Sequence, residues 1–94
     1  MKVCLLQIDF YLGGCRSLKE KRHRLKGIRD RFGRAANVAV CESHHQDVHQ
    51  RAQWTFVASA ASSDVVEKTL MEIERNLQYS VDAELINVQR EWLI

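Results

Sequence analysis

A two-layer α+β sandwich, with two helices on one face of a four-stranded antiparallel sheet, is the fold class this sequence predicts. Three observations carry that prediction. Apolar residues alternate with period two in the first and third of four strand-like segments and recur at helical spacing in two others, and the segments follow one another as β-α-β-β-α-β. The chain has 94 residues, 46% of them hydrophobic and 28% charged, which suits one core and a single domain over 1–94. Prolines are absent, and Gly13, Gly14, Gly27 and Gly33 are the candidate breaks.

Residues 2–12 put Cys4, Leu6, Ile8, Phe10 and Leu12 on one face and Leu5, Gln7, Asp9 and Tyr11 on the other, as in a half-buried strand that Gly13-Gly14 ends. Ser17 with Glu20 three residues on forms a capping box. Leu18, Leu25, Ile28 and Phe32 then predict one helix that Gly33 stops. Residues 37–42 read as a second strand, and 53–61 as a third with Trp54, Phe56 and Ala58 on one face. Asp64 with Glu67 caps a second helix whose apolar stripe is Val66, Leu70, Ile73 and Leu77. A last strand spans 81–90, and 92–94 remain as a tail. This order is the split βαβ pattern of a ferredoxin-like sandwich with strand order 4-1-3-2. In that topology the loop opening the first helix and the hairpin 43–51 emerge at the same end of the sheet.

The strongest chemical signal is charge. Arg16, Lys19, Lys21, Arg22, Arg24, Lys26, Arg29, Arg31 and Arg34 stand against only Glu20 and Asp30, so this segment carries +7 in a chain of +2. The rest of the molecule therefore sums to −5. Lys19, Arg22, Lys26 and Arg29, at spacings of three, four and three, form one cationic stripe on a continuous helix. Glu20 reaches Arg24, and Asp30 is placed to reach Lys26 or Arg34. Such a stripe suits phosphate, because guanidinium and ammonium groups displace condensed counterions. The plainer alternative is a solvated face partly neutralised by Asp64, Glu67, Glu72 and Glu74 of the second helix. Lys21, nearer the apolar seam, reads as a snorkelling side chain. Gly13-Gly14-Cys15-Arg16-Ser17 lacks the G-x-x-x-x-G-K-[ST] pattern of a P-loop and reads as a tight strand-to-helix turn.

The hairpin 43–51 holds three of the four histidines, His44, His45 and His49, with Asp47 and Arg51. A helical turn there would set His45 and His49 on one face, with Cys41, Glu42, His44 or Asp47 as further metal ligands. A solvated loop is the plainer reading, and contact with RNA through His and Arg51 lies between the two. The sheet offers little for base stacking: Tyr11 ends the first strand, Thr55, Val57 and Ser59 are the outward residues of the third, and the RNP1 pattern is absent. Leu5 and Val57 there suggest pairing of two subunits through the open face.

No apolar run approaches the roughly 20 residues of a membrane span, and 2–12 lacks the basic flank and cleavage site of a signal peptide. A cytoplasmic location is expected. Three cysteines without a C-x-x-C pair fit reduced thiols, Cys4 in the core and Cys15 in a loop open to reaction. No motif calls for a catalytic residue, a cofactor or a structural metal.

Ser17-Leu18-Lys19-Glu20-Lys21-Arg22, followed by Glu42 and by the run from His45 through Gln46, Asp47, Val48, His49, Gln50 and Arg51 to Ala52, resembles the YlxP-like family of small uncharacterised bacterial proteins. The resemblance covers essentially the whole chain and implies a ferredoxin-like fold. It transfers no catalytic residue. Members are often encoded beside translation-initiation and ribosome-maturation genes, which implies a link to RNA. Ser43-His44 departs from the aliphatic-acidic pair expected after Glu42.

Three functional readings follow. The first is a non-enzymatic RNA- or ribosome-associated domain in which Arg16, Lys19, Arg22, Lys26 and Arg29 engage phosphates and His45, His49 and Arg51 line the rim. The second is a homodimeric protein-interaction or regulatory module. The third is a metal-binding or hydrolytic site at the hairpin.

Overall fold

The computed structural model describes residues 1–94 in the order β1 (Lys2–Tyr11), α1 (Leu18–Arg24), α2 (Ile28–Phe32), β2 (Val38–His44), β3 (Arg51–Ala60), α3 (Ser63–Ser80) and β4 (Glu84–Trp92). The strands pair antiparallel in the order β2-β3-β1-β4, which is the expected 4-1-3-2 read from the other edge. Alternation in β1 places Cys4, Leu6, Ile8 and Phe10 beneath the helices, opposite Ala58, Phe56, Trp54 and Ala52 of β3. Val66, Leu70, Ile73 and Leu77 of α3 close the core from above, as their stripe predicts. No helix is long and apolar enough to cross a membrane.

The first helix differs from the expectation. It is two segments, because Gly27 adopts φ 89°, a left-handed conformation that no continuing helix contains. Leu25 caps α1, and Gly27 then serves as the N-cap of α2, its carbonyl accepting from Arg31 N–H at 2.8 Å. The corner turns α2 so that Ile28 is buried and Phe32 meets Phe56 edge-on at 5.8 Å. It also divides the cationic stripe: Lys19 and Arg22 lie on α1, Lys26 in the corner and Arg29 on α2.

Smaller differences have local causes. Ser62 is the N-cap of α3 in place of Asp64, its hydroxyl accepting from Val65 N–H at 3.4 Å, while Asp64 sits in the first turn. Val81 is the C-cap of α3, and Asp82 is held by Arg24 Nε, which donates to its carbonyl at 2.8 Å; β4 therefore begins at Glu84. The final residues continue the pairing with β1, since Leu93 N–H donates to Val3 O at 2.8 Å. Cys15 is not a free loop thiol. Its side chain is 2% exposed within the core, and Sγ donates to Ser17 O at 3.4 Å.

Candidate functional site

The nine basic side chains of 16–34 separate into two groups. Three are consumed by the fold. Arg24 ties α1 to the chain before and after it, donating to Gly13 O at 2.8 Å and pairing with Glu20 at 3.6 Å and Asp82 at 3.3 Å. Arg31 joins α2 to α3 through Asn76 Oδ1 at 2.9 Å and Ser80 Oγ at 2.6 Å. Lys21 is the third, and its place was not legible in the sequence.

Lys21 is 3% exposed, the one charged residue in the buried set. It does not snorkel, because three acceptors meet its ammonium inside: His45 O at 2.6 Å, Val48 O at 2.9 Å and Glu42 Oε2 at 3.3 Å. An ammonium has three protons to donate, so the group is fully satisfied. The two carbonyls belong to a turn in which Val48 N–H donates to His45 O at 3.1 Å and His45 takes φ 63°. Lys21 thus fastens the β2–β3 hairpin onto α1 and brings the two sequence motifs together at one end of the sheet.

The remaining six, Arg16, Lys19, Arg22, Lys26, Arg29 and Arg34, are all exposed and make neither an ion pair nor a hydrogen bond with the protein. Asp30 pairs with neither Lys26 nor Arg34. The acids of α3 do not neutralise the face either, Glu74 being paired with Arg90 at 3.3 Å.

The hairpin is not helical, so His45 and His49 do not share a helix face. The His44 and His45 rings lie 4.3 Å apart at 50°. No group of three or more His, Cys, Asp or Glu side chains is placed to share a metal ion. His45, by its carbonyl, is fastened to α1, whereas Arg51 pairs opposite Tyr11 at the end of the sheet. Alternation with buried Ala52 puts Arg51 on the open face, away from the helical cations.

That open face is polar at the hairpin end. Asp9 accepts from Gln53 Nε2 at 3.1 Å and Asn87 Nδ2 at 3.2 Å, and Ser43 Oγ bonds Gln53 Oε1 at 2.9 Å and Thr55 Oγ1 at 2.7 Å. The chain of bonds crosses all four strands. Leu5 and Val57, directly paired in register, lie beyond it.

Between the α1–α2 corner and the hairpin opens a cleft of about 350 Å³. Arg22, Lys26 and Arg29 stand on its helical side, Glu42 and Gln46 on its hairpin side, and Trp54 of β3 forms part of its wall. The Arg29 guanidinium lies 5.8 Å from the centre of the Trp54 ring.

Comparison with known proteins agrees with this fold. The model of the family described as "Protein of unknown function (DUF503)" matches residues 3–90. The uncharacterized protein YlxP of Bacillus subtilis (strain 168) is 33% identical over 76 residues, covering 81% of this chain and 83% of that protein. Among solved structures, a de novo designed protein with a ferredoxin fold, determined by solution NMR, superposes with a TM-score of 0.55 at 7% identity, covering 100% of this chain and 87% of that one. The chain belongs to the DUF503 family.

Proposed function

We propose that this DUF503 protein is an RNA-binding domain without catalytic function, which grips the phosphate backbone through α1, the α1–α2 corner and the loop before them. One observation carries the reading: six of the nine basic side chains in this segment are exposed with no ion pair or hydrogen bond to the protein, and three of them, Arg22, Lys26 and Arg29, line one cleft. Arg16, Lys19, Arg22, Lys26 and Arg29 are the phosphate contacts, with Arg34 beside them and His45 and His49 at the hairpin rim. Arg51 stands apart on the open sheet face and contributes only where a strand of RNA wraps the end of the sheet. Without an aromatic platform on that face, backbone and shape dominate recognition.

Ribosomal RNA, free and within 30S and 50S particles, is the substrate for the test. Binding is measured across a salt series for the wild type and for Lys19→Glu/Arg22→Glu/Arg29→Glu. With about five phosphates neutralised, log affinity falls against log salt with a slope of about −3.5 on single strands to about −4.5 on duplex. That is a loss of roughly 100- to 500-fold between 50 and 200 mM salt. The triple variant is expected to bind weakly at low salt while keeping its circular dichroism spectrum. Equal binding by both proteins, or none by either, would remove RNA as the partner.

A further inference from the structure

The indole N–H of Trp54 is the one buried side-chain nitrogen or oxygen in the chain with no hydrogen-bond partner. Buried donors are nearly always satisfied, and an exception calls for a cause. Trp54 is 7% exposed and forms part of the wall of the cleft beside the α1–α2 corner, so the residue that holds the unpaired donor shares the cleft with three unpaired cations, Arg22, Lys26 and Arg29. These are independent features. One follows from the interior packing of β3, the other from the charge pattern of two helices.

The chemistry of the walls selects a ligand class. A simple anion does not use all of the lining, because Asp30 and the Lys21-paired Glu42 are also among its walls. An apolar ligand is disfavoured by the cations. A planar heterocycle carrying a phosphate satisfies both. Its ring offers donors to Glu42 or Gln46 and rests against Leu18 and Leu25, its phosphate stays beside Arg22 and Lys26, and an acceptor on the ring reaches the covered Trp54 N–H once the side chains around the indole shift. The volume, about 350 Å³, is near the lower end of the range for small-molecule sites and holds one such unit. From this we infer that the cleft receives a single nucleotide splayed out of the bound RNA, its base on the Arg29 guanidinium that lies over Trp54 and its phosphate at the corner. Single-stranded RNA is recognised in this way elsewhere, by stacking of unpaired bases on aromatic rings and guanidinium planes. The inference rests on the RNA reading above and adds to it a preference for unpaired nucleotides.

The test follows the two indole N–H signals of the ¹⁵N-labelled chain, assigned with Trp54→Phe and Trp92→Phe. The probes are the four nucleoside 5′-monophosphates, inorganic phosphate and a single-stranded RNA oligomer. Trp92, 43% exposed on β4, is the internal control. Monophosphates and oligomer are expected to move the Trp54 signal saturably and leave Trp92 in place, the oligomer at far lower concentration. Trp54→Phe, which keeps an aromatic ring, though a smaller one, and loses the donor, is expected to weaken monophosphate binding about three- to tenfold. An unmoved Trp54 signal with all nucleotides overturns the inference, and so does an equal shift with inorganic phosphate. If the oligomer binds but leaves Trp54 unmoved, the cleft fails and the RNA-binding face stands. If monophosphates move the signal and no RNA binds, the RNA reading fails and the cleft is a site for free nucleotides.

Discussion

Replacing Lys21 by Met separates a buried clamp from a snorkelling lysine. Methionine keeps most of the stem's volume and removes only the ammonium. The loss comprises charged hydrogen bonds to His45 O at 2.6 Å and Val48 O at 2.9 Å and the pair with Glu42 at 3.3 Å. A hydrogen bond to a charged group contributes about 1.5–3 kcal/mol, and removing one partner of a buried ion pair costs about 3–5 kcal/mol. Two features lower the total: the Glu42 side chain is 24% exposed, and the hairpin carbonyls rehydrate once the clamp is gone. The expected destabilisation is therefore about 3 kcal/mol, equivalent to a fall in Tm of roughly 12–24 °C for a domain of this size. Urea unfolding followed by circular dichroism measures it. Hydrogen exchange at Val48 N–H, bonded to His45 O, reports whether the turn itself loosens. Glu42→Gln, which retains an acceptor for Lys21, is expected to cost only about 1 kcal/mol. A loss below about 0.5 kcal/mol for Lys21→Met, the range of ordinary surface substitutions, would refute the clamp.

Gly27→Ala tests the break between α1 and α2. The added Cβ has room, its nearest neighbour being Arg31 Nη2 at 3.4 Å, so the cost is that of holding alanine at φ 89°, about 1–2 kcal/mol by chemical denaturation. A neutral or stabilising effect would mean the helix runs straight through. For the thiols, a native-state titration with an aromatic disulfide reagent is expected to modify Cys41 alone, because Cys4 and Cys15 are each 2% exposed, and all three only after unfolding. Rapid modification of a second thiol in folded protein would contradict the burial of Cys15.

Periodicity made the architecture legible before any coordinates. Strand alternation in β1 and β3 and the stripe of α3 depend on neighbours within one element, and each of their predicted inward residues is buried. What periodicity missed depends on contacts far apart in the chain. Lys21 meets acceptors 21 to 27 residues away, and no local pattern distinguishes it from the solvated lysines around it. The orphan donor of Trp54 is equally invisible, since it is defined by what the packing leaves out. Gly27 did carry a signal: a glycine inside a helix costs about 1 kcal/mol relative to alanine and is as readily a terminus as an interior residue. Cys15 reads as a loop thiol, but the Gly13-Gly14 turn, closed by Cys15 N–H donating to Leu12 O at 3.2 Å, folds its side chain into the core.

The division of the nine cations gives the RNA-binding test its control. Lys21, Arg24 and Arg31 face protein acceptors, so their replacement lowers stability whatever the partner. Within one helix only Lys19 and Arg22 are neighbours, three residues apart on α1, while Lys26 in the corner and Arg29 on α2 add repulsion at longer range. The Lys19/Arg22 pair destabilises α1 by about 0.2–0.5 kcal/mol. Reversing Lys19, Arg22 and Arg29 lowers the charge of residues 16–34 from +7 to +1 and removes no hydrogen bond or ion pair of the fold, so stability is expected to hold, and added salt, by screening the repulsion among the cations, stabilises the free wild type. Salt must then act in opposite senses on the two measurements, strengthening the folded state while weakening its hold on RNA. A loss of binding in the triple variant accompanied by a lower Tm would trace to damaged structure. The same loss at unchanged or higher Tm traces to the phosphates.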